Sequence, residues 1–139
     1  MNGGINYSVD KDGVHLASKL STIVSVTPGT PSGNVDPADA LVRVGLDPNS
    51  KKHVSKYSLG MRHRLGIAQA IMERPQLLIL DEPMNGLDKQ GVLDMRNVFK
   101  ELNREGATII LSSHYAEDID ALCDTVCEMD NGVIAQLDA

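Results

Sequence analysis

The sequence predicts an α/β fold: a parallel sheet with flanking helices, ending in a C-terminal β-hairpin. Two short apolar runs carry the prediction, Leu77-Leu78-Ile79-Leu80 and Ala107-Thr108-Ile109-Ile110-Leu111. Both are too brief for helices and read as strands buried on both faces, as parallel sheets require. Between them, from Lys89 to Glu105, Val92, Met95, Phe99 and Leu102 fall on one stripe at helical spacing. Strand, helix, strand in that order implies a crossover unit.

Taken from the start, residues 1–35 are weakly patterned. Gly3-Gly4, Asp12-Gly13 and the run from Pro28 to Gly33 are turn chemistry, and Leu20 to Thr27 is rich in β-branched residues and reads as one strand. Asp36-Pro37 then looks like an N-cap followed by proline in the first turn, opening a helix over Ala38 to Val44 that Gly45 stops. Ser58 can cap the next helix, with Met61, Leu65, Ala68 and Met72 on its apolar face, Arg62, His63, Gln69 and Glu73 opposite, and Pro75 ending it. After the second strand a short helix is expected over Ala116 to Leu122. Thr125 to Met129, then Asp130-Asn131-Gly132, then Val133 to Ala135 read as a hairpin turning on Asn-Gly. Two segments result: 1–35, and 36–139 carrying the sharper signals.

Composition narrows the class. Of 139 residues, 42% are hydrophobic and 23% charged, which excludes wholesale disorder. Thirteen basic against 19 acidic residues leave a formal net charge of −6, the wrong sign for a nucleic-acid scaffold. Cys123 and Cys127 cannot build a disulfide framework and read as two buried thiols on consecutive turns of one helix. No apolar run approaches the ~20 residues that span a bilayer, and the first residues carry no signal-peptide pattern. A soluble, intracellular, acidic protein is the expectation. His15, His53 and His63 read as surface residues, and Lys51-Lys52 and Arg62-His63-Arg64 as solvated flanks.

The chemistry collects at strand ends. Leu77 to Leu80 runs straight into Asp81-Glu82, and two adjacent carboxylates there are costly unless a cation or a reaction uses them. A strand-end aspartate suits Mg²⁺ on a nucleotide, often through water, and a neighbouring glutamate suits polarising a water for attack on phosphorus. A solvated, inert acidic loop is the alternative. The second strand empties onto Ser112-Ser113-His114, where the histidine can serve a phosphate oxygen or a water, or be merely structural. Ser58, Gly60 and the helix start behind them form either an anion site or an ordinary capped helix.

Ser58 lies 23 residues before Asp81 and His114 33 after it, with Asn85-Gly86-Leu87-Asp88 directly after the paired carboxylates. From about Asp36 to Leu137 the sequence resembles the nucleotide-binding subunit of ATP-binding cassette (ABC) transporters, a P-loop NTPase fold. Tyr57-Ser58-Leu59-Gly60-Met61-Arg62 resembles the signature motif, whose serine and glycine contact the γ-phosphate of ATP held by the opposite subunit. Leu77 to Asp81 is similar to the Walker B strand, which implies Asp81 as the residue bearing on Mg²⁺, through water. Glu82 occupies the catalytic-base position, Met84 to Asp88 resembles the D-loop that crosses the dimer interface, which implies Asp88 as a nucleotide-binding residue, and His114 matches the switch histidine. The signature wording is similar to that of bacterial exporter ATPases of the multidrug or bacitracin-resistance kind. The resemblance implies ATP and Mg²⁺ as cofactors, a second ATPase subunit (identical or related) and a transmembrane permease as partners, and a cytoplasmic place at the inner face of the membrane. No direct nucleic-acid partner is expected.

The family's phosphate-gripping loop, G-x-x-x-x-G-K-[ST], does not occur in these 139 residues. Tyr7 is a poor candidate for the adenine-stacking aromatic. Thr22 to Pro31 is similar to the family's strand and Q-loop region, with Thr27 where glutamine or an acidic residue is expected. Most of the helical subdomain that grips the permease is expected to be absent. The chain therefore reads as a C-terminal catalytic half, a truncated copy or a fragment, inactive alone. Strands left bare by the missing part predict exposed apolar surface and self-association. A non-catalytic module completing a partner's ATP site and a nucleic-acid-linked ATPase are the alternatives.

Overall fold

The computed structural model describes residues 36–137 and, as strand backbone, Tyr7–Asp10 (β1), Gly13–Leu16 (β2) and Ile23–Val26 (β3). Thr27 and the rest of the Q-loop-like stretch to Pro31 lie outside the described residues. The described residues among the first 35 form three strands, where one is expected from the sequence. β1 and β2 form an antiparallel pair, Tyr7 opposite Leu16 and Asp10 opposite Gly13. Four-residue strands with one valine each carry too little pattern to be read.

The site stands on a three-stranded sheet ordered β3-β4-β5, with β4 at Leu77–Asp81 and β5 at Thr108–Ser112. β4 and β5 run parallel, pairing Leu77 with Thr108 and Asp81 with Ser112, so both strands empty their C-terminal residues at one edge. The sheet is not wholly parallel: β3 lies antiparallel to β4, with Ile23 opposite Leu80. That pairing also joins the weakly patterned first segment to the sheet of the second.

Among the described residues, four α-helices accompany these strands. α1 (Pro37–Arg43) starts as expected: Asp36 accepts from the Ala38 amide at 2.8 Å with proline in the first turn. α2 (Leu59–Ile71) is capped by Ser58, whose Oγ accepts from the Met61 amide at 3.2 Å. α3 (Lys89–Arg104) is capped by Asp88, and α4 spans Ala116–Leu122. The core joins Ala40 and Val44 of α1, Ile67, Ala68 and Ile71 of α2, Leu78 and Leu80 of β4, and Met95, Val98, Phe99 and Leu102 of α3.

Of the stripe expected on α3, Met95, Phe99 and Leu102 are buried and Val92 is partly covered, with Gly91 and Val98 widening the buried face. On α2 the buried face is instead centred on Ile67 to Ile71, while Met61, Leu65 and Met72 are only partly covered. The helix packs on both α1 and β3, so two neighbours cover a broader face than one stripe. Arg64 is no solvated flank: it donates to the Val44 carbonyl at 2.7 Å and pairs with Asp94 at 3.4 Å, tying three helices together. His63 is half-buried with Nδ1 lacking a partner, so it is not a simple surface residue.

Burial on both faces fails for the strands. In β4, Leu78 and Leu80 are buried but Leu77 and Ile79 are half-covered; in β5, Ile110 is 54% exposed. The helical core covers one face of this sheet, and β5 lies at its edge. The cysteines also differ from expectation. Cys123 ends α4 in extended conformation and Cys127 lies exposed in β6 (Val126–Asp130), because the helix stops at Leu122. Burial, and then the charge of neighbouring Asp124, push the Cys123 thiol above its ordinary value. β6 pairs with β7 (Val133–Leu137) through Asn131-Gly132, both at positive φ, the two-residue turn that asparagine-glycine favours. This hairpin exposes Met129, Val133 and Ile134. Among the described residues, no helix is long and apolar enough to cross a membrane.

Met95 is fully buried at the centre of α3. Met95→Ala is expected to cost about 2–5 kcal/mol, lowering Tm by about 10 °C or more in a thermal melt followed by circular dichroism.

Candidate functional site

The shared edge of β4 and β5 assembles the acidic pair and the histidine. The Glu82 amide donates to the Ser112 carbonyl at 3.0 Å, extending the parallel ladder one step past Asp81. The chain then turns sharply: Glu82 adopts φ +47°, and the Asn85 amide donates back to its carbonyl at 3.2 Å. A left-handed glutamate is uncommon, and such strain persists only where the surroundings impose it. The buried Pro83 and Met84 behind it, and the Ser112 ladder bonds in front, are those surroundings.

His114 follows β5 by two residues, and its Nδ1 meets Glu82 Oε1 at 2.7 Å. A carboxylate at that distance selects the tautomer with hydrogen on Nδ1, leaving Nε2 on a ring that is 63% exposed. The ring also lies 4.2 Å, centroid to centroid, from that of Tyr115. Asp81 joins through Ser112, whose hydroxyl donates to Asp81 Oδ1 and meets the Glu82 amide at 3.2 Å. Asp81, Glu82, Ser112 and His114 thus form one hydrogen-bonded group at the sheet edge.

Ser58 and Gly60 stand at the exposed start of α2 and reach this group through the loop that follows Glu82. A Cβ on Gly60 would meet the Gly86 carbonyl oxygen at 3.1 Å, and one on Gly86 would meet Leu59 Cδ2 at 2.6 Å. Gly86 has φ +76°, so the close approach and the backbone both demand glycine there. Asp88, expected beside a nucleotide, has its Oδ1 engaged in the α3 cap, accepting from the Gly91 amide at 2.8 Å.

Sequence reasoning missed the support behind His114. Asp118 on α4 is 2% exposed and accepts from Arg96 of α3 at 2.6 and 3.0 Å, while Ser113 Oγ lies 3.4 Å from its other oxygen. An aspartate in the first turn of a short helix carries no signal of burial by itself.

Among the described residues no three His, Cys, Asp or Glu side chains converge on a metal position. An ion such as Mg²⁺ binds through one or two carboxylates, with water and phosphate completing its shell. Exposed Asp81, oriented by Ser112, has the required oxygen chemistry.

A family model described as ABC transporter matches residues 7–85. The chain belongs to the ABC transporter family. Relatives within it carry ATP-binding names. An uncharacterized ABC transporter ATP-binding protein, YybJ, of Bacillus subtilis (strain 168) is 48% identical over 97 residues, covering 70% of this chain and 44% of the relative. The bacitracin transport ATP-binding protein BcrA of Enterococcus faecalis is 40% identical over 153 aligned positions, covering 96% and 48%. The lantibiotic transport ATP-binding protein SrtF of Streptococcus pyogenes is 44% identical over 86 residues, covering 62% and 38%. The chain therefore spans half or less of these relatives' lengths. A solved ATP-binding subunit of an ABC transporter superposes with TM-score 0.62 at 27% identity, covering 71% of this chain and 42% of that one. The α/β architecture with its terminal hairpin is thus that of an ABC ATPase, a P-loop NTPase fold.

Proposed function

We propose that this ABC-family chain is the signature-to-C-terminus part of an ATP-binding subunit that couples ATP hydrolysis to transport through a membrane permease, in the manner of bacitracin and lantibiotic exporters. The observation that carries the reading is the 2.7 Å contact between Glu82 and His114, with Asp81 tied to the same strand end. In this reading Glu82 is the general base for the attacking water, and its left-handed turn holds the carboxylate at the sheet edge. His114 orients Glu82 through Nδ1 and offers Nε2 to a phosphate oxygen; donation from both nitrogens requires the protonated ring. Asp81 would hold Mg²⁺ through water, and that ion would supply charge neutralisation on the phosphate oxygens. Ser58 and Gly60 would face ATP gripped by a second subunit, with Met84 to Asp88 at the interface between them. Asp88, by capping α3, holds that segment's end in place while its second oxygen serves the nucleotide side. The permease partner implies a place at the cytoplasmic face of the membrane, and no nucleic acid enters this scheme.

A second reading is a non-catalytic module completing a partner's ATP site through Ser58 and Gly60 at the exposed start of α2. Both readings predict that the 139-residue chain alone binds Mg-ATP with a Kd of about 1 mM or weaker, since it lacks the amides and lysine that cradle phosphates. Titration calorimetry showing stoichiometric micromolar binding would contradict both. Fusing an upstream segment that carries the loop separates them. The catalytic reading expects Mg-ATP-dependent phosphate release from the folded fusion; silence there leaves the module.

A further inference from the structure

His114 is held at both flanks by one buried residue, Asp118, through its carboxylate on one side and its backbone amide on the other. Ser113 Oγ lies 3.4 Å from Asp118 Oδ2, and the Asp118 amide donates to the Tyr115 carbonyl at 3.1 Å. The Tyr115 amide in turn donates to Ser113 Oγ at 3.1 Å, closing an arch with His114 at its crown. Asp118 is anchored from outside the arch by Arg96, whose Nε and Nη2 converge on Oδ1 at 3.0 and 2.6 Å. Arg96 projects from α3, the helix whose cap, Asp88, ends the loop that begins at Glu82. One rigid helix therefore references both halves of the Glu82–His114 contact.

We infer that Arg96 and Asp118 are positioning residues that set the placement of His114 against Glu82, acting through Ser113. The inference rests on the proposed role of His114, but its content is geometric. A buried carboxylate satisfied by a guanidinium and a hydroxyl, on a residue whose amide also bonds the Tyr115 carbonyl, leaves the arch a single low-energy arrangement. Losing the Asp118 oxygen or the Ser113 hydroxyl frees the crown to swing away from Glu82, on an imidazole otherwise largely in solvent.

The test is histidine nitrogen NMR on the full 139-residue chain with the ring neutral. The wild-type His114 signal should be dominated by the Nδ1–H tautomer. Asp118→Ala and Ser113→Ala should each lower its ratio to the Nε2–H tautomer about fivefold, the shift expected from losing roughly one ordinary hydrogen bond. Ser113→Thr, which keeps the hydroxyl, should retain the wild-type ratio. An unchanged ratio in folded Ser113→Ala overturns the inference, whatever happens to Tm, because a merely structural clamp would lower Tm alone. So does a wild-type ring without Nδ1–H preference. Should Asp118→Ala fail to fold, Ser113→Ala, which removes a single half-buried hydroxyl, decides the matter. Failure of the loop-bearing fusion to hydrolyse ATP would count against the functional reading and leave this tautomer result standing.

Discussion

Glu82→Gln, made in the fusion that supplies the phosphate-gripping loop, is expected to lower ATP turnover by about 10²–10⁴-fold, the range a positioned general base contributes. Nucleotide affinity should change by no more than a few-fold, since the amide keeps the size and one acceptor oxygen of the carboxylate. The structure sharpens the expectation. Glu82 is placed by its backbone, through the Ser112 ladder bond and a left-handed turn, so the substitution leaves the loop where it is. Only the base is lost. Phosphate release measured beside equilibrium ATP binding separates the two effects. A parallel loss of affinity and rate would point to a binding role for Glu82, and an unchanged rate would remove it from the chemistry.

The second large effect belongs to a neighbouring subunit. In a mixed dimer with an intact ATPase subunit, Gly60→Asp on this chain is expected to depress the partner's turnover on the order of a hundredfold. The new carboxylate would stand at the start of α2, where Ser58 and Gly60 are proposed to face the partner's γ-phosphate. Like charges about 4 Å apart near a protein surface repel by about 4 kcal/mol before screening. Gly60→Ala is the control, because a Cβ there already crowds the Gly86 carbonyl at 3.1 Å. Alanine should lower the rate only a few-fold, so the gap between the two variants isolates the charge. Equal rates for Asp and glycine would remove the trans role.

Much of this site was legible in the sequence because its cues are local. Asp81-Glu82 after four apolar residues, and Ser112-Ser113-His114 after a second run, mark two strand ends. The parallel pairing of Asp81 with Ser112 then brings those ends together. The two apolar runs were read correctly as strands, yet their burial was overestimated. An apolar run shows that a strand forms but says nothing of whether anything lies on its second face, and Ile110 stays largely exposed. Cys123 and Cys127 illustrate a related limit. Their spacing suits a helix, but the short α4 stops at Leu122 and passes them to a cap and a strand.

By itself the sequence determined the caps at Asp36 and Ser58, most of the α3 stripe, the Asn131-Gly132 hairpin and the strand ends whose polar residues are proposed to serve phosphate chemistry, all set within a few bonds of the chain. Tertiary structure alone decided the left-handed turn at Glu82, the antiparallel seat of β3, the crowding of Gly60 and Gly86, and the burial of Asp118 on Arg96. Those features depend on which distant surfaces meet. Contacts between residues 20 or 30 positions apart, such as Arg96 with Asp118 or Arg64 with Asp94, leave no periodic trace for a local reading to find.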